Sequence, residues 1–215
     1  MSVIVLGGHN SIATQFINEI RDKTKQQDRL RFRKNMERVG EIMAYEISKK
    51  LEYIPCTIQT PLAIIQSSKL KNQPVIITVL RAGLVYFQGF LNFFDQAESG
   101  FIGAYRKEGG NEITINLDYL AAPPLEGREI IVIDPMLATG KSFIHSIQAL
   151  LKNGTPSHIH IASLIASPEG IRYIQENLAI PHTLWTFAID EGLDERFYIV
   201  PGLGDAGDLS FGEKV

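Results

Sequence analysis

The chain of 215 residues holds a single cysteine, Cys56. One thiol closes no intramolecular disulfide and builds no cysteine-rich metal site, which points to a reducing compartment and leaves Cys56 as an ordinary thiol. Long apolar runs are also lacking. No stretch approaches the roughly 20 residues that span a bilayer, and the short run 3–6 has neither the basic flank nor the small-residue cleavage site of a signal peptide. A soluble, cytoplasmic protein with no membrane partner is expected. Positive charge is not in excess: 21 Lys and Arg stand against 24 Asp and Glu, a formal net charge of −3. Nothing global draws such a chain to nucleic acid, so an anionic ligand has to be met by local features. Internal repeats and low-complexity tracts are missing too. With 45% hydrophobic residues, the length suits one large domain, 1–215, better than two small ones.

What is present is an apolar pattern that switches between helical and strand-like periods, an α/β signature. Ile12, Phe16, Ile17 and Ile20 share one helical face behind the cap candidates Asn10 and Ser11, and Met36, Val39, Met43, Ile47 and Leu51 form a second stripe. A helical N-terminal region, 1–52, is expected. Four apolar runs, 75–80, 130–134, 159–165 and 183–189, are bounded by Gly, Pro, Asn or charged residues and predict strands. Between them, 142–153 predicts a helix with Ile144, Ile147 and Leu151 on one face and Gly154 as its stop, and 168–177 predicts another. This alternation implies a mainly parallel central sheet flanked by helices. Two regions fall outside it. Strand-like 101–105, the turn signal 108–111 and alternating 112–117 predict a β-hairpin flap over 101–120. The tail from 199 is rich in Gly and Asp, has no helical stripe, and is expected to be a loop.

The strongest local signal is IIVIDPMLATGKS at 130–142, a buried strand that ends in an acid and runs through a short loop into a helix. Ligands of parallel sheets sit at the carboxyl ends of strands, where a helix N-terminus offers N–H groups and a positive dipole end to an anion. Residues 137–142 are expected to cradle a monophosphate, with the Thr139 and Ser142 hydroxyls as extra donors and Asp134 facing sugar hydroxyls. The plain alternative is a strand-to-helix turn capped by Ser142. A triphosphate P-loop is rejected, because its first glycine falls on Pro135. The G-x-G-x-x-G of 202–207 is no dinucleotide site, because only eight residues follow Gly207. It leaves a glycine-rich loop that a flat ligand can approach closely, carrying Asp205 and Asp208. Arg81 stands at the end of the 75–80 strand and Arg106 opens the flap; both suit phosphate oxygens, and either alone could be a surface ion pair. The basic segment 21–38 is read as a solvated or subunit-contacting helix face. His158 and His160 alternate on one strand without a third ligand and are given no chemistry.

Together these segments resemble the uracil phosphoribosyltransferase family from about Arg21 onward. The family-like stretches are DRLRFRKN (28–35) with EIMAYEI (41–47), LRAG (80–83), DPMLATG (134–140), ASPEG (166–170), and AIDEGL (188–193) joined to YIVPGLGDAGD (198–208), the last being the most specific. The resemblance implies a type I phosphoribosyltransferase-like fold whose region 190–215 binds the base. It implies that Arg81, Arg106, Asp134, Pro135, Met136, Leu137, Ala138, Thr139, Gly140, Lys141, Ser142 and Asp205 hold 5-phosphoribosyl 1-diphosphate. Uracil falls to Ile199, Gly204, Asp205 and Ala206, and catalysis to Asp134 and Asp205. It further implies UMP synthesis in pyrimidine salvage, Mg²⁺ held mainly through the substrate diphosphate rather than by protein ligands, and a homo-oligomer, dimer or higher. The sequence departs from the family pattern at Lys141, Gln88, Leu209 and after Arg106. These departures keep a second reading open, a regulatory nucleotide- or RNA-binding protein on the same fold.

Overall fold

A strand that is apolar on both faces has to be covered on both, and Val75–Leu80 meets that condition, with five of its six residues buried. The computed structural model that shows this describes residues 2–107 and 114–213, with 104–107 and 114–118 as backbone alone. In chain order the elements are β1 (Ser2–Val5), α1 (Ile12–Arg21), α2 (Arg29–Ser48), β2 (Tyr53–Gln59), β3 (Ile64–Leu70), β4 (Val75–Leu80), α3 (Gly83–Leu91), β5 (Ser99–Lys107) and β6 (Thr114–Ala121). There follow β7 (Glu129–Ile133), β8 (Met136–Leu137), α4 (Lys141–Leu150), β9 (His158–Ala162), β10 (Ile165–Ala166), α5 (Pro168–Asn177), β11 (His182–Thr186), β12 (Ala188–Ile189), β13 (Gly192–Leu193), β14 (Ile199–Val200) and α6 (Ala206–Phe211).

The main sheet has seven strands in the order β1-β11-β9-β7-β4-β5-β6. Every neighbouring pair is parallel except β5 with β6. The α/β expectation therefore holds, and the antiparallel β5–β6 pair is the hairpin foreseen over 101–120. Its turn signal at 108–111 and the Arg106 side chain lie outside the described residues. Strand periodicity divides the core. Ile131 and Ile133 pack with α1, α2 and α3 on one face, while Ile130 and Val132 pack with α4 and α5 on the other. Past the carboxyl ends of β7, β9 and β11, the two-residue strands β8, β10 and β12 pair in parallel and tie those ends together. Among the described residues no helix is long and apolar enough to cross a membrane.

Several expectations need correction. The N-terminal region up to residue 52 is not wholly helical, because Ser2–Val5 adds a parallel edge strand beside β11; four residues are too few to display a period. Ile12 is 59% exposed, and Ala13 takes the inward position with Ile17 and Ile20. The hairpin β2–β3 and helix α3 were not foreseen. The tail is not all loop: Asp205 caps the six-residue α6 by accepting the Asp208 N–H at 2.9 Å.

Candidate active site

The phosphate-loop candidate begins where β7 ends. Asp134, half-buried, accepts the Met136 N–H at 3.1 Å on Oδ1. The Pro135 carbonyl accepts the N–H groups of Leu164 and Ile165 at 2.9 and 3.1 Å. Ser167, the N-cap of α5, donates its hydroxyl to the Ala138 carbonyl at 2.6 Å and its N–H to the Leu137 carbonyl at 2.9 Å. The loop is thereby moulded on the start of α5. The fit leaves no room for a methyl group, since a Cβ on Gly170 would lie 2.3 Å from the Ala138 oxygen.

The helix start corrects the Ser142 cap. Gly140, at φ +76°, is the N-cap of α4, and no side chain caps this end, although the Lys141 N–H has a long contact of 3.4 Å to the Thr139 hydroxyl. An uncapped N-terminus of a ten-residue helix keeps its first N–H groups and its positive dipole end for a ligand. Pro135, Leu137, Ala138 and Gly140 are buried, whereas Asp134, Met136, Thr139, Lys141 and Ser142 are half-buried. The side chains of the buried group are closed to solvent, and those of the other group are open to it in part.

Arg81, at the end of β4 and half-buried, reaches the C-terminal segment. Its Nη2 donates to Asp208 Oδ1 at 2.8 Å and its Nη1 to the Gly212 carbonyl at 3.3 Å, while its buried Nε has no hydrogen-bond partner among the described residues. A Cβ on Gly207 would be 3.8 Å from both Arg81 Nη2 and the Ala82 nitrogen. Two stretches far apart in sequence, 80–83 and 204–212, thus share one place. Ala138 of the phosphate-loop candidate joins Ile199, Leu203 and Ala206 in one apolar cluster. Ile199 and Ala206 are buried, Gly204 is exposed at φ +91°, and Asp205 is half-buried.

The basic segment is more than a solvated face. Arg31 and Lys34 make surface ion pairs, but Arg33 Nη1 donates to the Ser210 carbonyl at 3.0 Å, and Arg21 forms an ion pair with Asp190. Sequence reasoning gave Arg21, Asp190 and Ser167 no role; the visible signals were an acid, Asp190, standing directly after a strand-like run, and Ser167 before the proline that opens α5. The histidines lie at the amino ends of the strands. Trp185 Nε1 donates to His160 Nδ1 at 3.2 Å, which places the His160 proton on Nε2, facing Glu129 at 3.1 Å. Burial, then the neighbouring His160, lowers the His158 pKa. A cleft of about 420 Å³ opens beside this cluster, but volume alone is no site. Among the described residues no three His, Cys, Asp or Glu stand where they could hold a metal ion, and the phosphate-loop candidate is at the strands' other end.

The family model described as Uracil phosphoribosyltransferase matches residues 9–213. A protein of Porphyromonas gingivalis named uracil phosphoribosyltransferase is 50% identical over 216 residues, spanning 100% of both chains. One of the same name from Pyrococcus furiosus is 35% identical over 204 residues, 94% of this chain and 86% of its own. Among solved structures, the AQ2163 protein from Aquifex aeolicus matches with a TM-score of 0.87 and 28% identity over 99% of each chain.

Proposed function

Because the chain belongs to the uracil phosphoribosyltransferase family, we propose that it joins uracil to 5-phospho-α-D-ribose 1-diphosphate, forming UMP and releasing diphosphate. One observation carries this reading beyond family membership. Arg81, at a strand end suited to phosphate, meets the glycine- and aspartate-rich segment 204–212 and still has a buried N–H without a partner among the described residues. A cationic clamp and a close-approach loop at one place suit a diphosphate leaving group beside a flat base.

In the proposed reaction the N1–C1 bond between uracil and ribose forms as the C1–O bond to diphosphate breaks, and the uracil N1 proton passes to the departing diphosphate or to water. Charge builds on the leaving oxygens and positive character on C1, so no protein nucleophile is required. The main-chain N–H groups of 137–142 and the Thr139 hydroxyl hold the 5-phosphate, with Asp134 at the ribose hydroxyls. Arg81, Arg106 and Asp205 serve the diphosphate. Main-chain groups of Ile199, Gly204 and Ala206 read uracil, so that cytosine, with a different exocyclic group, leaves buried partners unsatisfied.

Mg²⁺ fits this site as an ion carried on substrate oxygens. The only acid in 130–142 is Asp134, which is followed by proline, and a diphosphate supplies the hard oxygen donors that magnesium prefers. Bound there, it neutralises charge on the departing diphosphate. A cytoplasmic homo-oligomer, dimer or higher, completes the proposal; the exposed hairpin β2–β3 supports the assembly. Two departures from the family pattern have ordinary settings. Gln88 bonds Asn92 at 3.1 Å on the exposed side of α3, and Leu209 packs against the core.

The test is UMP formation from uracil and phosphoribosyl diphosphate with Mg²⁺, run beside cytosine, orotate, hypoxanthine and an Asp205→Ala variant. Product from uracil alone, abolished in the variant, is expected. No product with any base while the diphosphate substrate still binds would favour the regulatory reading.

A further inference from the structure

A loop that selects a base through main-chain groups has to be rigid, because a misplacement of about 1 Å can cost roughly 100-fold in rate. The segment 199–206 has little regular structure of its own to make it so. Beyond the two residues of β14 and the first residue of α6 it depends on what is packed around it. The main brace is an ion pair between Arg21, the last residue of α1, and Asp190, which follows β12.

The guanidinium grips the carboxylate as a fork, Nη1 to Oδ2 at 2.9 Å and Nη2 to Oδ1 at 2.8 Å. The same Nη1 donates to the Gly202 carbonyl at 3.1 Å, and the same Oδ2 accepts the Gly202 N–H at 3.0 Å. Both main-chain polar groups of one residue are therefore caught by one ion pair. Gly202 sits at φ +61°, where a Cβ would lie 2.1 Å from the Ile199 oxygen, so the turn is folded back on its own start. Asp190 is fixed in turn, since its N–H donates to the Ala166 carbonyl at 2.8 Å. The Arg21 and Asp190 side chains are only 21% and 6% exposed. Removing either partner leaves a largely buried charge without its counter-ion.

We propose that Arg21 and Asp190 are positioning residues for base recognition. Their ion pair holds Gly202 at the centre of 199–206, so that the main-chain groups on either side of it meet the pyrimidine. Helix α1 then belongs to the selectivity apparatus and is more than a cover for the sheet. Neither side chain touches the base. The inference rests on the proposed uracil phosphoribosyltransferase activity, and it predicts a defect confined to one substrate.

Steady-state kinetics of the wild type, Arg21→Gln, Asp190→Asn and Arg21→Lys, each substrate varied against saturation by the other, tests it. The KM for uracil is expected to rise about tenfold in Arg21→Gln and Asp190→Asn, less than the roughly 100-fold that a full 1 Å misplacement can cost. The KM for phosphoribosyl diphosphate should stay within about twofold. Arg21→Lys, which keeps the charge and loses the fork, should recover some of the uracil KM. A merely structural brace would reduce the folded fraction and kcat together while leaving the uracil KM alone, and that result in all three variants overturns the proposal. A second measurement needs no turnover. Amide hydrogen exchange in 199–206 should quicken in Arg21→Gln while 130–142 keeps its protection; equal exchange in the two proteins also overturns it. If the wild type forms no UMP, the proposed activity fails while the exchange experiment still decides the clamp.

Discussion

At Gly170 a single distance decides what a methyl group would do. The added Cβ would stand 2.3 Å from the Ala138 oxygen, closer than any real contact, and both partners are backbone. Either the first turn of α5 or the loop 134–140, the proposed phosphate site, must shift. Gly170→Ala is expected to cost about 1–3 kcal/mol of stability, the usual range for overpacking, and to raise the KM for phosphoribosyl diphosphate more than that for uracil. Denaturant midpoints and kinetics check the two effects. A second residue carries a pH signature. Glu19, on α1, accepts from Arg31 Nε and Nη2 at 2.7 and 2.9 Å and from Asn35 Nδ2 at 2.7 Å. These bonds, Arg31 first, hold its carboxyl at about 2 instead of the ordinary 4.5. A pKa lowered by folding means that the stabilisation is fully present above the ordinary value and is lost as pH falls toward about 2. A carbon-detected NMR titration should give a midpoint near 2 for Glu19, moving back toward 4.5 in Arg31→Gln. Arg31 is half-exposed, so added salt should weaken the effect of the pair.

Among the elements, those with an unmixed signal were legible. Five of the six residues of β4 are buried, α5 announces itself with Ser167 and Pro168 at its start, and the Met36 to Ile47 stripe marks the inner face of α2. The strand-to-helix turn at 134–141 could be read because strand, acid, loop and helix are contiguous. Arg21 and Asp190 could not be paired from sequence, standing 169 residues apart. Helix α3 was hidden for another reason: GLVYFQGFL is apolar almost all round, and its glycines argue against a helix. The fold explains one of them. Helix α3 lies so close on α2 that a Cβ at Gly89 would be 2.1 Å from the Glu37 oxygen and 2.6 Å from the Glu41 nitrogen. Gly89→Ala therefore loses the crossing despite its better helix propensity. A net destabilisation of about 1–3 kcal/mol is expected by urea unfolding, against the gain of up to about 1 kcal/mol that Ala brings in an open helix.

For the molecule as a whole, the hairpin β2–β3 bears on assembly. It pairs with no strand of the main sheet, and an isolated two-stranded hairpin is marginal in water at best. Its surface is nevertheless partly apolar, with Leu62 96% and Ile64 65% exposed, and Tyr53, Ile58 and Ile65 exposed as well. Apolar side chains gathered on one projecting element mark an interaction surface more often than an accident. A formal net charge of −3 is too small to oppose association of two copies strongly. Burying such a hairpin against a second copy would stabilise both the arm and the assembly, since whatever binds only the folded state raises its stability. Light scattering should therefore give at least twice the chain mass of 24.0 kDa. The double variant Leu62→Asp, Ile64→Asp places charge on the arm and should shift that mass toward a single chain while the main sheet keeps its far-UV dichroism. A wild type that runs as one chain at micromolar concentration, or a double variant that still assembles, would remove the hairpin from the account of assembly.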